Sequence, residues 1–445
     1  MKVLFIIDHD VALVNGASFK SGQFIDYLTR NGHDVSVIFP SKKRKKQFQD
    51  TTNLKHYPIP SFSIPGYKEY CVPLPPLAPG LWTRKWDVDI IHTETLNPTL
   101  LLLGTWIKKR SKVPMFNVLT ANLHVYTSIL FPKDNFIKRF CKHYGIKIYN
   151  AISNKIEGSF VLSEGMKKTL TQDFFQINQD RVHKLIRPMD FERFSKTAKG
   201  CDLYDIFDVP KQNRLVTLSR MCKTKNVEFL IRSFACFIWP KNKDLHFFIG
   251  GYGPIENKLK KLAEALECPN IHFLGKIDYD AVPGFLQEAG YFLYSSLSET
   301  FGNVVCEAKY SKVPVVALDD HAGVHDQIVD MKNGVLVAHD DEEEYANRFF
   351  EVYTDSICKE GLVFNAYLDV LINNNPLTIY RNLVKIYSHY IETGSIEQSM
   401  ITKSFTYDRE FFDKTYIPER IVQIQNEGEF EIKGSEIEEN NIFTV

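Results

Sequence analysis

Short apolar runs alternate with amphipathic stretches along most of the chain. Residues 2–7 read KVLFII, residues 34–39 read DVSVIF, and a helical pattern covers residues 19–29 between them. Apolar runs of this length, bounded by turn-forming residues, predict buried parallel strands that are joined by helices. The same alternation starts again near residue 215. The pattern therefore predicts an α/β protein of two domains, each a parallel sheet covered by helices, which face each other across a cleft.

Changes in this pattern divide the chain into four parts. We predict an N-terminal domain over residues 1–194, a polar linker over 195–212 and a second domain over 213–391. The alternation fades in residues 392–445, whose last part is rich in glutamate. No role is assigned to this extension, and a partly disordered appendage is its simplest interpretation.

The segment 298–307, which reads SETFGNVVCE, carries the most informative chemistry. Glu299 and Glu307 stand eight positions apart around a turn at Gly302, after the apolar run 291–294. The unpaired N–H groups of a helix start attract phosphate, and an ionised carboxylate accepts hydrogen bonds from sugar hydroxyls. The segment therefore indicates a nucleotide-sugar site, although its spacing alone fits an ordinary strand-to-helix connection equally well.

Two earlier strand ends carry related chemistry. One apolar run ends at Arg220, and Lys225 follows before the next helical pattern, so that two cations could clamp a diphosphate. A second run, 245–249, leads into Gly251 and Gly253, which allow the backbone to approach a ligand closely. Taken singly, each feature is also explained by solvated surface or by an ordinary turn.

Taken in this order, these segments resemble the C-terminal half of glycosyltransferase family 4. The motifs are Ser219-Arg220…Lys225, Gly251-Tyr252-Gly253-Pro254 and Glu299…Glu307, and the resemblance covers about residues 1–390. It implies a retaining enzyme of the GT-B architecture, with two Rossmann-like domains, that moves a hexose from a UDP-linked sugar. The residues that it implies for the donor site are Gly16, Ser219, Arg220, Lys225, Gly251, Gly253, Glu299, Phe301, Gly302, Asn303 and Glu307.

The resemblance also implies roles for these residues. Arg220 and Lys225 would stabilise the leaving diphosphate, together with the backbone N–H groups around Gly302. Glu299 would hold the hexose hydroxyls, and Glu307 would hold the ribose diol.

The N-terminal half departs from the family at one position. Many members carry a histidine soon after the strand that corresponds to residues 114–119, where it contacts the donor sugar. Here the sequence continues Thr120-Ala121-Asn122-Leu123-His124, so His124 takes this role only if the loop is longer. The alternative is a histidine on a helix face or in the core.

Charge and composition exclude several classes of function. The net charge is zero, which argues against a nucleic-acid-binding protein. The sequence has neither an apolar run of eighteen residues nor a signal-peptide pattern, so we expect a cytoplasmic protein. Its eight cysteines show no metal-binding spacing. We therefore expect no cofactor and no essential metal.

Two basic features bear on the acceptor. A polybasic run, Lys42-Lys43-Arg44-Lys45-Lys46, follows the second strand, and a basic amphipathic helix that includes Phe136 and Phe140 covers residues 136–148. Together they suit peripheral binding to an anionic membrane, whereas each alone also fits a solvated loop or a core-facing helix. The N-terminal half most resembles the branch that glycosylates diacylglycerol-type lipids. Two alternatives remain, namely a soluble glycan, protein or small-molecule acceptor, and a non-catalytic protein that binds nucleotide sugars.

Overall fold

The computed structural model describes residues 1–10, 16–41, 48–64, 67–119, 136–173, 175–196, 202–338, 340–397 and 399–400. The described chain forms two α/β units, each built on a largely parallel sheet, and this confirms the predicted fold class. The first unit contains strands β1 Lys2–Ile7, β2 Asp34–Ser41, β3 Leu54–Ile64, β4 Tyr67–Pro73, β5 Ile90–Glu94, β6 Met115–Leu119, β7 Gly158–Val161 and β8 Val182–Lys184. Its helices are α1 Gly16–Arg30, α2 Pro79–Thr83, α3 Pro98–Ser111, α4 Phe136–Ser153, α5 Glu164–Lys168 and α6 Phe191–Lys196.

The first sheet has the order β4-β3-β2-β1-β5-β6-β7-β8, and β4 pairs antiparallel with β3 at its edge. The central strand β1 is buried from Val3 to Ile7, since both of its neighbours run parallel to it and helices cover both faces. This burial explains why the strand reads as a continuous apolar run.

The second unit repeats the plan with a smaller sheet. Its strands are β9 Arg214–Leu218, β10 His246–Gly250, β11 Ile271–Gly275, β12 Tyr291–Tyr294, β13 Val315–Leu318 and β14 Val335–Val337, and its sheet order is β11-β10-β9-β12-β13-β14. The helices that follow α6 are α7 Val227–Ser233, α8 Glu256–Ala265, α9 Val282–Gln287, α10 Asn303–Tyr310, α11 Glu342–Thr354, α12 Ser356–Asn373 and α13 Pro376–Thr393. Pairing is parallel throughout this sheet, so the carboxyl ends of its strands meet at one edge.

The last helix, α13, packs on the first sheet rather than the second. Tyr380 stacks on Phe24 with ring centroids 4.9 Å apart, and Tyr387 stacks on Phe116 at 5.1 Å. The predicted second domain, residues 213–391, thus ends in a helix that belongs by its packing to the first unit. The apolar spacing of α13 predicts a buried face, but this spacing does not specify which sheet the face covers.

The predicted linker also differs from the structure in its second half. Tyr204 is fully buried, and its hydroxyl donates to the carbonyl of Phe285, 2.8 Å away, in the second unit. The aromatic residues of the segment 202–209 pack on one face of the second sheet. This segment therefore belongs to the core of the second unit.

Candidate active site

The loops that follow β9 and β10 lie directly against each other. The backbone N–H of Met221 donates to the carbonyl of Tyr252 at 2.9 Å. Gly251 has φ +123°, and a Cβ atom there would stand 1.8 Å from the carbonyl oxygen of Ser219. A Cβ at Gly253 would come within 2.3 Å of the oxygen of Met221. Both glycines are therefore required by the close approach of the two loops. Their predicted contact with a donor stays a prediction.

Glu299 and Lys225 are brought together at the same edge of the sheet. Lys225 Nζ forms an ion pair with Glu299 Oε1, and the hydroxyl of Tyr294 donates to the same oxygen at 2.6 Å. The two charged side chains are 22% and 12% exposed, so the pair is only partly hydrated. Burial, followed by the charge of Glu299, holds the pKa of Tyr294 well above its usual value. Tyr294 therefore stays a hydrogen-bond donor, and Glu299 is fixed in orientation before any ligand binds.

Asp320 ties the loops after β12 and β13 together. Its Oδ2 accepts the backbone N–H of Glu299 at 2.7 Å, and its Oδ1 accepts those of Ala322, Val324 and His325 at 2.9–3.2 Å. Burial raises the pKa of this carboxyl, although the backbone hydrogen bonds act in the opposite direction. Sequence reasoning missed both Asp320 and Tyr294. The one signal for Asp320 is its position just after a parallel strand that neighbours β12.

Gly302 forms the turn into α10. It is the N-cap residue, with φ +87°, and its carbonyl accepts from the amide of Gln327 at 3.3 Å. Phe301 is buried in the core. The N–H groups at this helix start therefore lie where the sequence predicts an anion site.

Glu307 lies one turn after Asn303 on α10 and faces an arginine that sequence reasoning missed. Arg193 Nη1, from α6, is 3.6 Å from Glu307 Oε1. The guanidinium carbon of Arg193 stands 3.7 Å from the ring centroid of Tyr279. These residues line a small pocket together with Pro188, Met189, Phe301 and Cys306. The pocket therefore lies between Glu307, whose carboxylate is predicted to bind the ribose, and the segment that crosses between the two units.

Arg220 lies two residues after the end of β9 and is half-buried. Arg220 and Lys225, the two cations predicted from the sequence, therefore both lie in the segment between β9 and α7. Gly16 is the first residue of α1. Phe136 and Phe140 lie within α4, as predicted, although the surroundings of their side chains lie outside the description. His124 and the run Lys42–Lys46 fall outside the described residues.

A polar network is buried beneath the first unit's edge of the cleft. His92 Nε2 is 3.0 Å from Glu94 Oε1, and His92 Nδ1 is 2.7 Å from the hydroxyl of Tyr387 on α13. Ser21 donates to the other carboxylate oxygen of Glu94. Burial raises the pKa of Glu94, but the hydrogen bonds from His92 and Ser21 outweigh this effect and leave it below its usual value.

A cavity of about 280 Å³ lies between the two units. Glu299 and Asp320 line its second-unit side. The opposite wall is mainly apolar, with Leu96, Leu119, Met166, Leu170 and Phe175, and its polar members are Lys168 and Thr169. This arrangement can hold a polar group against the carboxylates and an apolar group across from it.

The two units also touch beside this cavity. Lys184 Nζ lies 2.8 Å from Asp326 Oδ2, which also accepts the backbone N–H of Glu164 at 2.7 Å. A Cβ atom at Gly165 would meet the carbonyl oxygen of His321 at 2.8 Å, so α5 and the loop after β13 are in close contact. Within the described residues, none of the helices has the length and apolar character needed to cross a membrane.

Two family models match the chain. "Glycosyl transferases group 1" matches residues 206–368, and "Glycosyltransferase Family 4" matches residues 14–193. The α-monoglucosyldiacylglycerol synthase of Streptococcus pneumoniae is 23% identical over 84% of this chain and 87% of its own length. The enzyme of the same name from Acholeplasma laidlawii is 24% identical over 77% of this chain and 86% of its own length.

A solved structure with a similar fold is Anabaena Alr3699/HepE in complex with UDP and glucose. It has a TM-score of 0.66 and 16% sequence identity, and the match covers 87% of this chain and 100% of that chain. At this identity the similarity concerns the fold.

Proposed function

We propose that this chain, which belongs to the family 4 glycosyltransferases of the GT-B fold, transfers a hexose from a UDP-sugar to a hydroxyl group of a membrane lipid such as diacylglycerol. That the enzyme is a glycosyltransferase using a nucleotide sugar follows from its family. The identity of the donor and that of the acceptor are the proposal. The observation that carries it is the interdomain cavity, which has carboxylates on one side and an apolar wall on the other.

The donor half of the proposal uses the residues at the edge of the second sheet. Lys225 and Arg220 would stabilise the charge that builds on the departing diphosphate, and the N–H groups at the start of α10 would add to this effect. Glu299 already accepts from Tyr294 and pairs with Lys225, so it would serve as a fixed acceptor for hexose hydroxyls rather than as a nucleophile. Retention would then follow from attack on the same face of the sugar, with a phosphate oxygen assisting removal of the acceptor proton.

The acceptor half of the proposal uses the apolar wall. A soluble sugar acceptor would need several polar partners on both sides, because a polar group buried without a hydrogen bond costs free energy, and the first-unit wall offers only Lys168 and Thr169. Met166, Leu170 and Phe175 offer apolar contact across from Glu299, which suits the glycerol end of a lipid with the first carbons of its chains. The names of the two relatives and the UDP bound in a protein of similar fold support this choice.

Surface features of the first unit support a peripheral contact with membrane. On α4, Arg139, His143 and Lys147 are exposed at intervals of four residues, and Tyr144 beside them is 48% exposed. Helix α3 packs against α4 and exposes Leu102 and Trp106. The cations Arg139 and Lys147, beside exposed aromatic and aliphatic side chains, favour an anionic bilayer surface.

The test is a transfer assay with the purified full chain. UDP-glucose, UDP-galactose and GDP-mannose would each be offered with diacylglycerol in mixed micelles containing anionic phospholipid, and with soluble sugars. We expect a hexosyl lipid to form from a UDP-sugar. Transfer to soluble acceptors alone would reject the lipid proposal, and consumption of GDP-mannose alone would reject the UDP proposal.

A metal requirement is tested in the same assay. We propose that the cations Arg220 and Lys225 replace a metal at the diphosphate, so transfer should persist in excess EDTA. Complete loss of transfer that magnesium or manganese restores would contradict this part of the mechanism.

A further inference from the structure

Three potential metal ligands converge on the loop after β13. They are Asp319, His321 and His325, and their ligand atoms all lie within 4.8 Å of one another. His325 Nδ1 is 2.9 Å from Asp319 Oδ2, and His321 Nδ1 is 3.3 Å from the same oxygen. The side chain of Asp319 is 9% exposed, whereas those of His321 and His325 are 77% and 41% exposed. The cluster is thus anchored on the inside and open to solvent on the outside.

These separations suit a small divalent ion. Zinc binds imidazole nitrogen and carboxylate oxygen at about 2.0–2.2 Å, and two ligands of a tetrahedral ion then lie about 3.4 Å apart. The two distances to Asp319 Oδ2, 2.9 and 3.3 Å, are close to that spacing, and His325 would exchange its direct hydrogen bond to Asp319 for a bond to the ion. Two imidazoles and one carboxylate also form a nitrogen-rich ligand set, which favours zinc and its neighbours over magnesium or calcium.

Several bonds that do not involve the three ligand side chains help to hold the loop that carries the ligands, in addition to the bond from the N–H of His321 to Asp319 Oδ1 at 2.7 Å. Asp320 Oδ1 accepts the backbone N–H groups of Ala322 and Val324 at 2.9 and 3.1 Å. The N–H of Gly323 donates to the carbonyl of Glu299 at 3.0 Å. Since these contacts fix the backbone, the two histidines would need only side-chain rotation to close on an ion.

We propose that Asp319, His321 and His325 bind one divalent transition-metal ion of the zinc class, with a fourth position open to water. His321 also lines the interdomain cavity, and its backbone contacts Gly165 of the first unit. A bound ion would therefore hold the loop that forms the contact between the two units at the mouth of the cleft. This site is separate from the diphosphate cations Arg220 and Lys225, and the proposal does not depend on the identity of donor or acceptor.

The test is zinc binding to the tag-free full chain after dialysis against a chelator. Isothermal titration with Zn²⁺ should give one site per chain, and Zn²⁺ should raise the melting temperature. His321→Ala and His325→Ala should each weaken binding by about tenfold or more, since even outer-shell changes at metal sites have effects of this size. Asp319→Asn should weaken binding as well, while its amide oxygen can still accept the N–H of His321.

The matched control is His143→Ala, which removes an exposed histidine on α4 and should leave both zinc affinity and the thermal shift unchanged. Unchanged zinc binding in the double variant His321→Ala, His325→Ala would place the ion elsewhere and overturn the proposal. Failure of the wild-type chain to bind Zn²⁺ would overturn it too. Because each readout is binding or stability, neither result depends on transferase activity.

Discussion

Replacing Glu307 by alanine should strongly reduce use of the donor. In the proposed site this carboxylate accepts both hydroxyls of the ribose, and a hydrogen bond to a charged group contributes about 1.5–3 kcal/mol. Since each 1.36 kcal/mol is a factor of ten in rate, loss of one of these two bonds alone should lower kcat/KM for the UDP-sugar about 10- to 150-fold, and loss of both should lower it further. Steady-state kinetics at varied donor concentration, with release of UDP as the signal, measure this change.

The loss should not come from unfolding. Glu307 Oε1 is 3.6 Å from Arg193, and after the substitution Arg193 keeps its contact with the ring of Tyr279 at 3.7 Å. A second variant, Glu307→Gln, keeps a polar group of similar shape beside Arg193. Glu307→Gln should also lower kcat/KM, and its melting temperature should change less than that of Glu307→Ala.

The chain offers a matched control for this experiment. Glu288 forms an ion pair with Arg214 at 3.5 Å in the same unit, and neither residue lines the interdomain cavity or the pocket around Glu307. Glu288→Ala should leave kcat/KM unchanged. If Glu307→Ala also keeps the wild-type kcat/KM, the assignment of this carboxylate to the ribose is refuted.

Three further predictions concern stability and membrane binding. Gly251→Ala should lower the free energy of unfolding by about 3 kcal/mol or more, measured by chemical denaturation, because its Cβ would stand 1.8 Å from the carbonyl oxygen of Ser219. Burial lowers the pKa of His183 to about 4, so the unfolded chain gains a proton first as the pH falls from 6.5. The free energy of unfolding should therefore drop by up to about 3 kcal/mol between pH 6.5 and 4. The substitution His183→Gln should remove this pH-dependent loss. Replacing Lys42–Lys46 by glutamine should weaken sedimentation with anionic vesicles, where each cation contributes about 1 kcal/mol.

These predictions have their own controls. Gly32 also has a positive φ, +75°, but its Cβ position is free of contacts, so Gly32→Ala should cost less than Gly251→Ala. His143 is exposed, and His143→Gln is the matched control for replacing a histidine by glutamine. Added salt should weaken vesicle binding of the wild-type chain. Equal sedimentation of wild type and the glutamine variant would contradict a role of the polybasic run in membrane binding.

Sequence patterns predicted the fold because parallel strands have a simple signature. A strand such as β1 is covered on both faces, so it reads as an uninterrupted apolar run, and the helices between strands show their own period. Parallel pairing then brings the carboxyl ends of β9 and β12 to one edge. For this reason Lys225 and Glu299, 74 positions apart in the sequence, could be expected near each other, and the structure pairs them.

Contacts that depend on the path of a loop could not be predicted in this way. Arg193 reaches Glu307 from α6, at the end of the predicted N-terminal domain, where the sequence indicated no site residue. Asp320 accepts the backbone N–H of Glu299 through a turn whose shape is set by several hydrogen bonds at once. Neither contact has a periodic signature, because each depends on where a short irregular segment is held by its neighbours.

The chain crosses between the two units at two places, and these crossings are bonded to each other. The side-chain amide of Asn374 donates to the carbonyl of Arg187 at 2.8 Å, and the N–H of Met189 donates to the carbonyl of Asn374 at 2.9 Å. Helix α13 then anchors the second crossing to the first sheet. Any change in the angle between the two units must therefore bend these two bonded crossings. Arg193 lies only a few residues after the first crossing and contacts Glu307. Movement of the two units and binding of a nucleotide at Glu307 would therefore both affect the contact between Arg193 and Glu307.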